Sequence, residues 1–300
     1  MKLKKSVIAL FLGPAVIVYL AIFLYPTLRA ALMSLYEISS MSDAMDKWSF
    51  VGLSNYSELF TNSYFLKSVG NVFKIWLIGG VIVFVAAFFF AVLISGVRGK
   101  AFWRAVIYLP NTISVVVMSV VWLHYVYNPT FGLLTTVFKW LGLESWAAFQ
   151  WTADNHIFVS MLIAFCFGSI GYFMLILGAA MDGIPTDFYE AAKLEGSSVV
   201  HSFFKITLPL IRDVFQTTLV LWTTIAINFF VWSAVFGWQI AETMTPGYYM
   251  YLKVFGSNQS SSEVYNVGLG ASIGVLITIA VLIISWIISK LLGSKDRLEY

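Results

Sequence analysis

Six stretches of the chain are apolar, free of formal charge, and long enough to cross about 30 Å of hydrocarbon: residues 6–28, 75–97, 105–138, 155–181, 214–241 and 264–289. Each predicts a spanning helix. The third is longer than one crossing needs, and Asn128-Pro129 marks where its helix should end. Between the fourth and fifth stretches the pattern changes to soluble and amphipathic, from Ile184 to Ile211: IPTDFYEAAKLEGSSVVHSFFKITLPLI. Asp187 and Glu190 have the spacing of a capping box, and Pro185 lies just upstream, where a helix entry tolerates a missing donor. A helix of about two turns should therefore end at Gly196, which can take a positive φ. Ser197 or Ser198 can cap a second helix through Lys205, and Pro209 should push Leu208 out of the α region. The expected result is a bent pair of helices, although an ordinary connecting loop would carry the same local signals.

Composition identifies the solvent. Sixty per cent of the 300 residues are hydrophobic, 11% are charged, and the mean hydropathy is +0.85, whereas soluble domains carry about a quarter charged residues. The chain belongs in lipid. Lys2, Lys4 and Lys5 precede the first apolar run as in a signal peptide, but the run is too long for a typical signal core and reaches Tyr25-Pro26 without a clear cleavage site. It reads as a retained helix. With the N-terminus cytoplasmic, 12 of the 18 basic residues fall on the inside, among them Arg98, Lys100, Arg104, Lys193, Lys205, Arg212 and Lys290. That places both termini and residues 182–212 in the cytoplasm. The outside loops, about 38–70, 128–154 and 242–263, hold Trp48, Trp146, Trp151, Tyr248 and Tyr249, which can anchor helix ends at the interface. The organisation expected is residues 1–69 as an N-terminal helix and external loop, 70–292 as a core of five spans, and 293–300 as a cytoplasmic tail.

Several chemistries are excluded. The single cysteine, Cys166, allows no internal disulfide, and His124, His156 and His201 are scattered without a metal-binding or catalytic pattern. No metal site and no enzyme activity are expected. Gly99-Lys100 lacks the rest of a phosphate-binding loop, so this chain should not hydrolyse ATP. A net charge of +3 without a basic cluster gives no reason to expect nucleic acid. The six stretches contain no carboxylate with which to couple transport to an ion gradient.

Amides, hydroxyls and aromatic faces inside apolar spans are the candidates for lining a ligand site. In the fifth stretch Thr224 and Asn228 share a helix face near Trp222 and Trp232, and in the fourth Gly168, Gly171 and Tyr172 form a possible weak point. Asn228 could equally join two helices by a hydrogen bond, and Tyr172 could be packing. Asn111 and Ser114 are weaker candidates. Gly270 and Gly274 read as close helix packing.

Glu190-Ala191-Ala192, Gly196 and Ile206-Thr207-Leu208-Pro209 resemble, in residues and spacing, the EAA motif of ABC importer permeases. The resemblance extends to the maltose-type, binding-protein-dependent carbohydrate permeases through IFLYP at 22–26, FVGLSNY at 50–56, YLP at 108–110 and NPTFGL at 128–133. It implies an all-α integral membrane protein with six transmembrane helices and the type I permease fold, including an N-terminal extra helix and a cytoplasmic EAA coupling loop. It implies that Phe188, Tyr189, Glu190, Ala191, Ala192, Leu194 and Gly196 serve coupling to a partner ATPase. Tyr172, Gly171, Thr224 and Asn228 would fall at or beside the sugar site. The implied partners are a second homologous permease, an ATPase homodimer or heterodimer that binds ATP and Mg, an extracytoplasmic solute-binding protein and membrane lipid. No cofactor is implied for this chain itself. The location would be a bacterial or archaeal cytoplasmic membrane, and the cargo a sugar, oligosaccharide or glycan fragment. A polyol or glycerol phosphate permease, or a stand-alone carrier, is the alternative. Two departures from the family pattern stand out: Glu195 before the loop glycine, and residues 241–247 where a glycine-rich turn is usual.

Overall fold

The computed structural model describes residues 5–237, 240–256 and 265–293, with side chains from residue 10 onward. Lys2, Lys4, Lys295, Arg297 and most of the expected tail lie outside the described residues. Five helices are long and apolar enough to cross a membrane: Leu10–Met33, Ser63–Ser95, Ile157–Asp182, Arg212–Gly237 and Val267–Leu292. A bent pair, Lys100–Thr112 with Val115–Val126, makes a sixth crossing when counted as one span. The expected all-α membrane fold is present, with changes to the expected spans.

The second span begins at Ser63, well before residue 75, because Asn62 Oδ1 accepts from Phe65 N at 3.0 Å and caps an amphipathic extension. Lys67 therefore sits on a helix. The third span is not one continuous helix. It turns through 90° where Leu109–Thr112 tightens to a 3-10 turn around Pro110 and Ile113 becomes extended. It ends at Val126, as Asn128-Pro129 requires. In the fifth span the α-helix stops at Ile227 and resumes over Val231–Gly237, with Asn228 as the terminating residue. The fourth span shows the reverse correction: Ile157–Asp182 runs unbroken through Gly168 and Gly171, where a weak point was expected.

Wide π turns recur at Leu20–Leu24 and Phe203–Thr207, each ending two residues before a proline. Leu208 N–H bonds Phe203 O five residues back, and the widened ladder accommodates Pro209 inside the helix. Leu208 consequently stays in the α region (φ −62°, ψ −42°) and the chain breaks only at Ile211, a correction to the expected stop.

The fold comprises two compact units, 1–66 with 249–279, and 67–248 with 280–300. In the first, Tyr36–Glu37 pairs antiparallel with Ser49–Phe50. Asn55, buried, donates to Ser34 O at 2.9 Å and Tyr36 O at 3.0 Å, and Tyr56 hydroxyl meets Ser34 Oγ at 2.7 Å. Gly52 takes φ +58° at the turn into the helix Ser54–Thr61, which carries Asn55 and Tyr56. The FVGLSNY run is thus a hydrogen-bonded brace on the end of the first span. Gly270 and Gly274 pack as expected: a Cβ at Gly270 would meet Val254, and one at Gly274 would contact Met250.

The second unit is centred on Trp222, which is 2% exposed. Phe84, Phe165 and Phe173 place their rings 6.2, 5.5 and 5.7 Å from it, and its Nε1 donates to Trp76 O at 2.9 Å. Gly79 and Gly80 let the second and fifth spans approach this closely, since a Cβ at Gly80 would lie 2.7 Å from the indole nitrogen. Trp222 and Trp232 are therefore core residues and cannot offer a stacking face to a ligand. Tyr248 and Tyr249 are buried as well and anchor no interface.

Asn71, also buried, donates to the carbonyls of Ala241, Glu242 and Met244 at 3.2, 3.0 and 2.9 Å, and so holds the segment that stands where a glycine-rich turn is usual. Beside it Lys67 Nζ lies 2.6 Å from Glu242 Oε1, and this hydrogen bond holds the Glu242 carboxyl below its ordinary value of 4.5. A depressed carboxylate contributes stability above its unfolded pKa and loses it as the pH falls through the folded one. Glu242→Gln is expected to remove that small acid-side loss from a thermal-stability profile recorded in detergent between neutral and acid pH. The size is limited by exposure, since both side chains are part-open to solvent.

Candidate functional site

The EAA stretch folds as two short arms. The first helix is Asp187–Leu194, with Asp187 and Glu190 in its first turn, where they face the positive end of the helix dipole. Its N-cap is Thr186, in the α region and without a side-chain cap bond, so the expected Asp187–Glu190 capping box is not formed. The dipole supplies the favourable term for the two carboxylates instead. Gly196 has φ +76°, and a Cβ there would meet nothing within 4 Å. Backbone conformation alone selects glycine. Ser198 Oγ accepts from His201 N at 3.2 Å and caps the second arm, Val199–Ser202, which continues through the π turn to Leu210.

The coupling candidates separate into two groups. Leu194 is 89% and Phe188 41% exposed, and Glu190 and Ala191 are also exposed, so these four present a surface. Ala192 and Tyr189 are half-buried, and the Tyr189 hydroxyl lies 2.9 Å from Thr207 Oγ1 on the other arm. Tyr189 belongs to the inside of the bend. The second arm is held to the bundle by Phe203, whose ring is 5.2 Å from that of Phe88. Between arms and bundle is a cavity of about 510 Å³.

An ion cluster that the charge pattern did not disclose sits at the base of this bend. Asp182, the last residue of the fourth span, takes Arg104 Nη1 at 2.7 Å and Lys100 Nζ at 3.3 Å, and Arg104 Nη2 reaches Gly178 O at 3.5 Å. The only hint in sequence was that Arg104 and Asp182 border charge-free stretches, with Lys100 between two of them.

Of the substrate candidates, Thr224 and Asn228 are brought together. Both are exposed, and Asn228 Nδ2 donates to Thr224 O at 2.9 Å across the end of the helix. Asn228 thus works in its own helix as a terminator, and its side chain makes no bond to another helix among the described residues. Gly171 is buried against the third span: a Cβ would collide with Ile107 O, lie 2.8 Å from Tyr108 Cα and 2.9 Å from Asn111 Nδ2. Its role is close helix approach at the 90° bend. Tyr172, its neighbour, is half-buried. Asn111 Nδ2 is buried there without a partner. The NPTFGL run is also a structural turn, in which Asn128 Oδ1 accepts from Thr130 N at 2.9 Å and Phe131 N at 3.1 Å. No group of His, Cys, Asp or Glu suited to a metal occurs among the described residues.

Residues 83–295 match the family described as the binding-protein-dependent transport system inner membrane component. The chain belongs to that family. As a family member it is similar to the diacetylchitobiose uptake system permease protein NgcF of Streptomyces coelicolor, 27% identical over 74% of this chain and 65% of that protein's length. It is likewise 27% identical to the arabinooligosaccharides transport system permease protein AraP of Halalkalibacterium halodurans, over 94% of this chain and 86% of that one. The permease's fold matches a chain in the crystal structure of a bacterial ABC transporter involved in the import of the acidic polysaccharide alginate. There the TM-score is 0.77, at 18% identity, over 96% of this chain and 95% of that one. A second structure of an alginate transporter holds a periplasmic protein carrying an alginate pentasaccharide, with a TM-score of 0.75.

Proposed function

We propose that this chain is the permease subunit of an ABC importer for a sugar, oligosaccharide or glycan fragment, and that it changes access across the membrane when a partner ATPase moves its EAA bend. The observation that carries the reading is the exposed short helix Asp187–Leu194, turned at a glycine with φ +76° and set between two spans of a chain whose sequence carries no complete phosphate-binding loop. Glu190, Phe188, Ala191 and Leu194 form the face for the ATPase, and ATP and Mg belong to that partner. The distribution of basic residues supports a cytoplasmic position for this face and for both termini. Support for a glycan cargo comes from the names of the relatives, and support for an extracytoplasmic solute-binding protein from the pentasaccharide-bound complex of the structural neighbour.

Affinity purification of the tagged chain from its native membrane tests the proposal. A second permease and an ATPase should be recovered with it, in equal amounts, and ATP hydrolysis by the reconstituted complex should rise with one member of a panel of neutral and acidic oligosaccharides presented with the binding protein. Recovery of the chain alone, active in vesicles without nucleotide, would show a stand-alone carrier and end the importer reading.

A further inference from the structure

A bend hinged at glycine is a poor lever unless something closes it. Force applied at Leu194 meets the fourth span through residues 183–186, but reaches the fifth only across the corner at Gly196. The structure supplies closure from the inside. The Tyr189 hydroxyl on the first arm lies 2.9 Å from Thr207 Oγ1 on the second, and Thr207 is 2% exposed at the last residue of the π turn, immediately before Leu208–Leu210 and the fifth span. A second bond, Ser197 Oγ to Ser202 Oγ at 3.0 Å, spans the corner itself. The cavity between arms and bundle is lined by these same hydroxyls, paired with one another, together with Ser95, Asp182 and Lys193.

Extending the coupling role proposed above, we infer that Tyr189 is a positioning residue: its bond to Thr207 makes the two arms one rigid body, so that displacement of helix Asp187–Leu194 reaches Arg212–Ile227 and its break at Asn228. Ring and hydroxyl have separate tasks, the ring filling the inside of the bend and the hydroxyl closing it.

The test uses the complex of the chain with its co-purified permease and ATPase in proteoliposomes. Thr224→Cys is the reporter, on the exposed face one turn before the break, and a membrane-impermeant maleimide added outside reads its access; Cys166 is buried. In the parent, ATP with vanadate should raise the labelling rate. Tyr189→Phe, which keeps the ring, should reduce that response about fivefold, the worth of one hydrogen bond. Thr207→Val should do the same, the double variant no worse than either, and all three should retain the ATPase at the parental ratio. A full response in Tyr189→Phe, or independent effects that multiply in the double variant, would overturn the inference. Loss of the ATPase in Tyr189→Phe alone would also do so, since that would make Tyr189 a docking residue. A parent complex that holds no ATPase, or shows no nucleotide response, would instead fail the importer reading on which this role rests.

Discussion

Uptake driven by ATP is expected to fall to background when Glu190 is replaced by lysine, with the protein inserted in the membrane at the parental level. Glu190 is exposed in the first turn of an eight-residue helix. Within the fold it contributes only its interaction with the helix dipole, about 0.3–1 kcal/mol, too little for its loss to unfold the chain. Against the ATPase partner proposed above, the same change would reverse a charge on the proposed docking face, a change on the order of 2–5 kcal/mol when the pair is desolvated. The neighbouring test concerns geometry. Gly196→Val meets no atom within 4 Å of its Cβ, so its effect is the conformational cost of a branched residue at φ +76°, about 1–2 kcal/mol or more, which favours straightening the bend. Gly196→Asn tolerates the left-handed region and should keep most of the uptake. Measuring uptake and membrane content for the three variants separates the cases. Parental transport by Glu190→Lys, or Asn as damaging as Val, would remove the coupling assignment.

Much of this bend was legible in the chain because its signals are local. A positive φ at Gly196 and a serine cap at Ser198 each depend on a few adjacent residues, and both are present. The five span-length helices and the bent pair were legible for a different reason, since length and lack of charge are set by the bilayer and not by neighbours. What escaped were features decided by partners distant in sequence. The apolar face of helix Asp187–Leu194 cannot tell Leu194, which is exposed, from Tyr189, which is turned inward, without knowing where Thr207 lies. Pro209 read as a helix stop because the π turn ahead of it leaves no simple periodic trace. Gly171 read as a weak point, but the third span bends against it and needs its missing side chain. The aromatic residues of the fifth span were misread most clearly. A tryptophan in an apolar wall can stack on a sugar or fill a core, and only the glycine pair at 79–80 across the bundle decides between them.

That decision sets the largest stability effect expected in the molecule. Trp222→Ala should cost about 3–5 kcal/mol, because the indole is fully enclosed and the rings of Phe84, Phe165 and Phe173 cannot all collapse into the space it leaves. It should also unlock the second span from the fifth, since Nε1 is bonded to Trp76 O beside two glycines that bring no side chains of their own to the contact. Trp222→Phe keeps most of the volume and gives up one hydrogen bond, about 1 kcal/mol. After graded heating in detergent, the monodisperse fraction of the Ala variant should disappear well below the parent's transition, with Phe close to the parent. A sugar-stacking role would show the opposite pattern: heat stability unchanged in both variants, and substrate-stimulated ATP hydrolysis weakened in Ala more than in Phe.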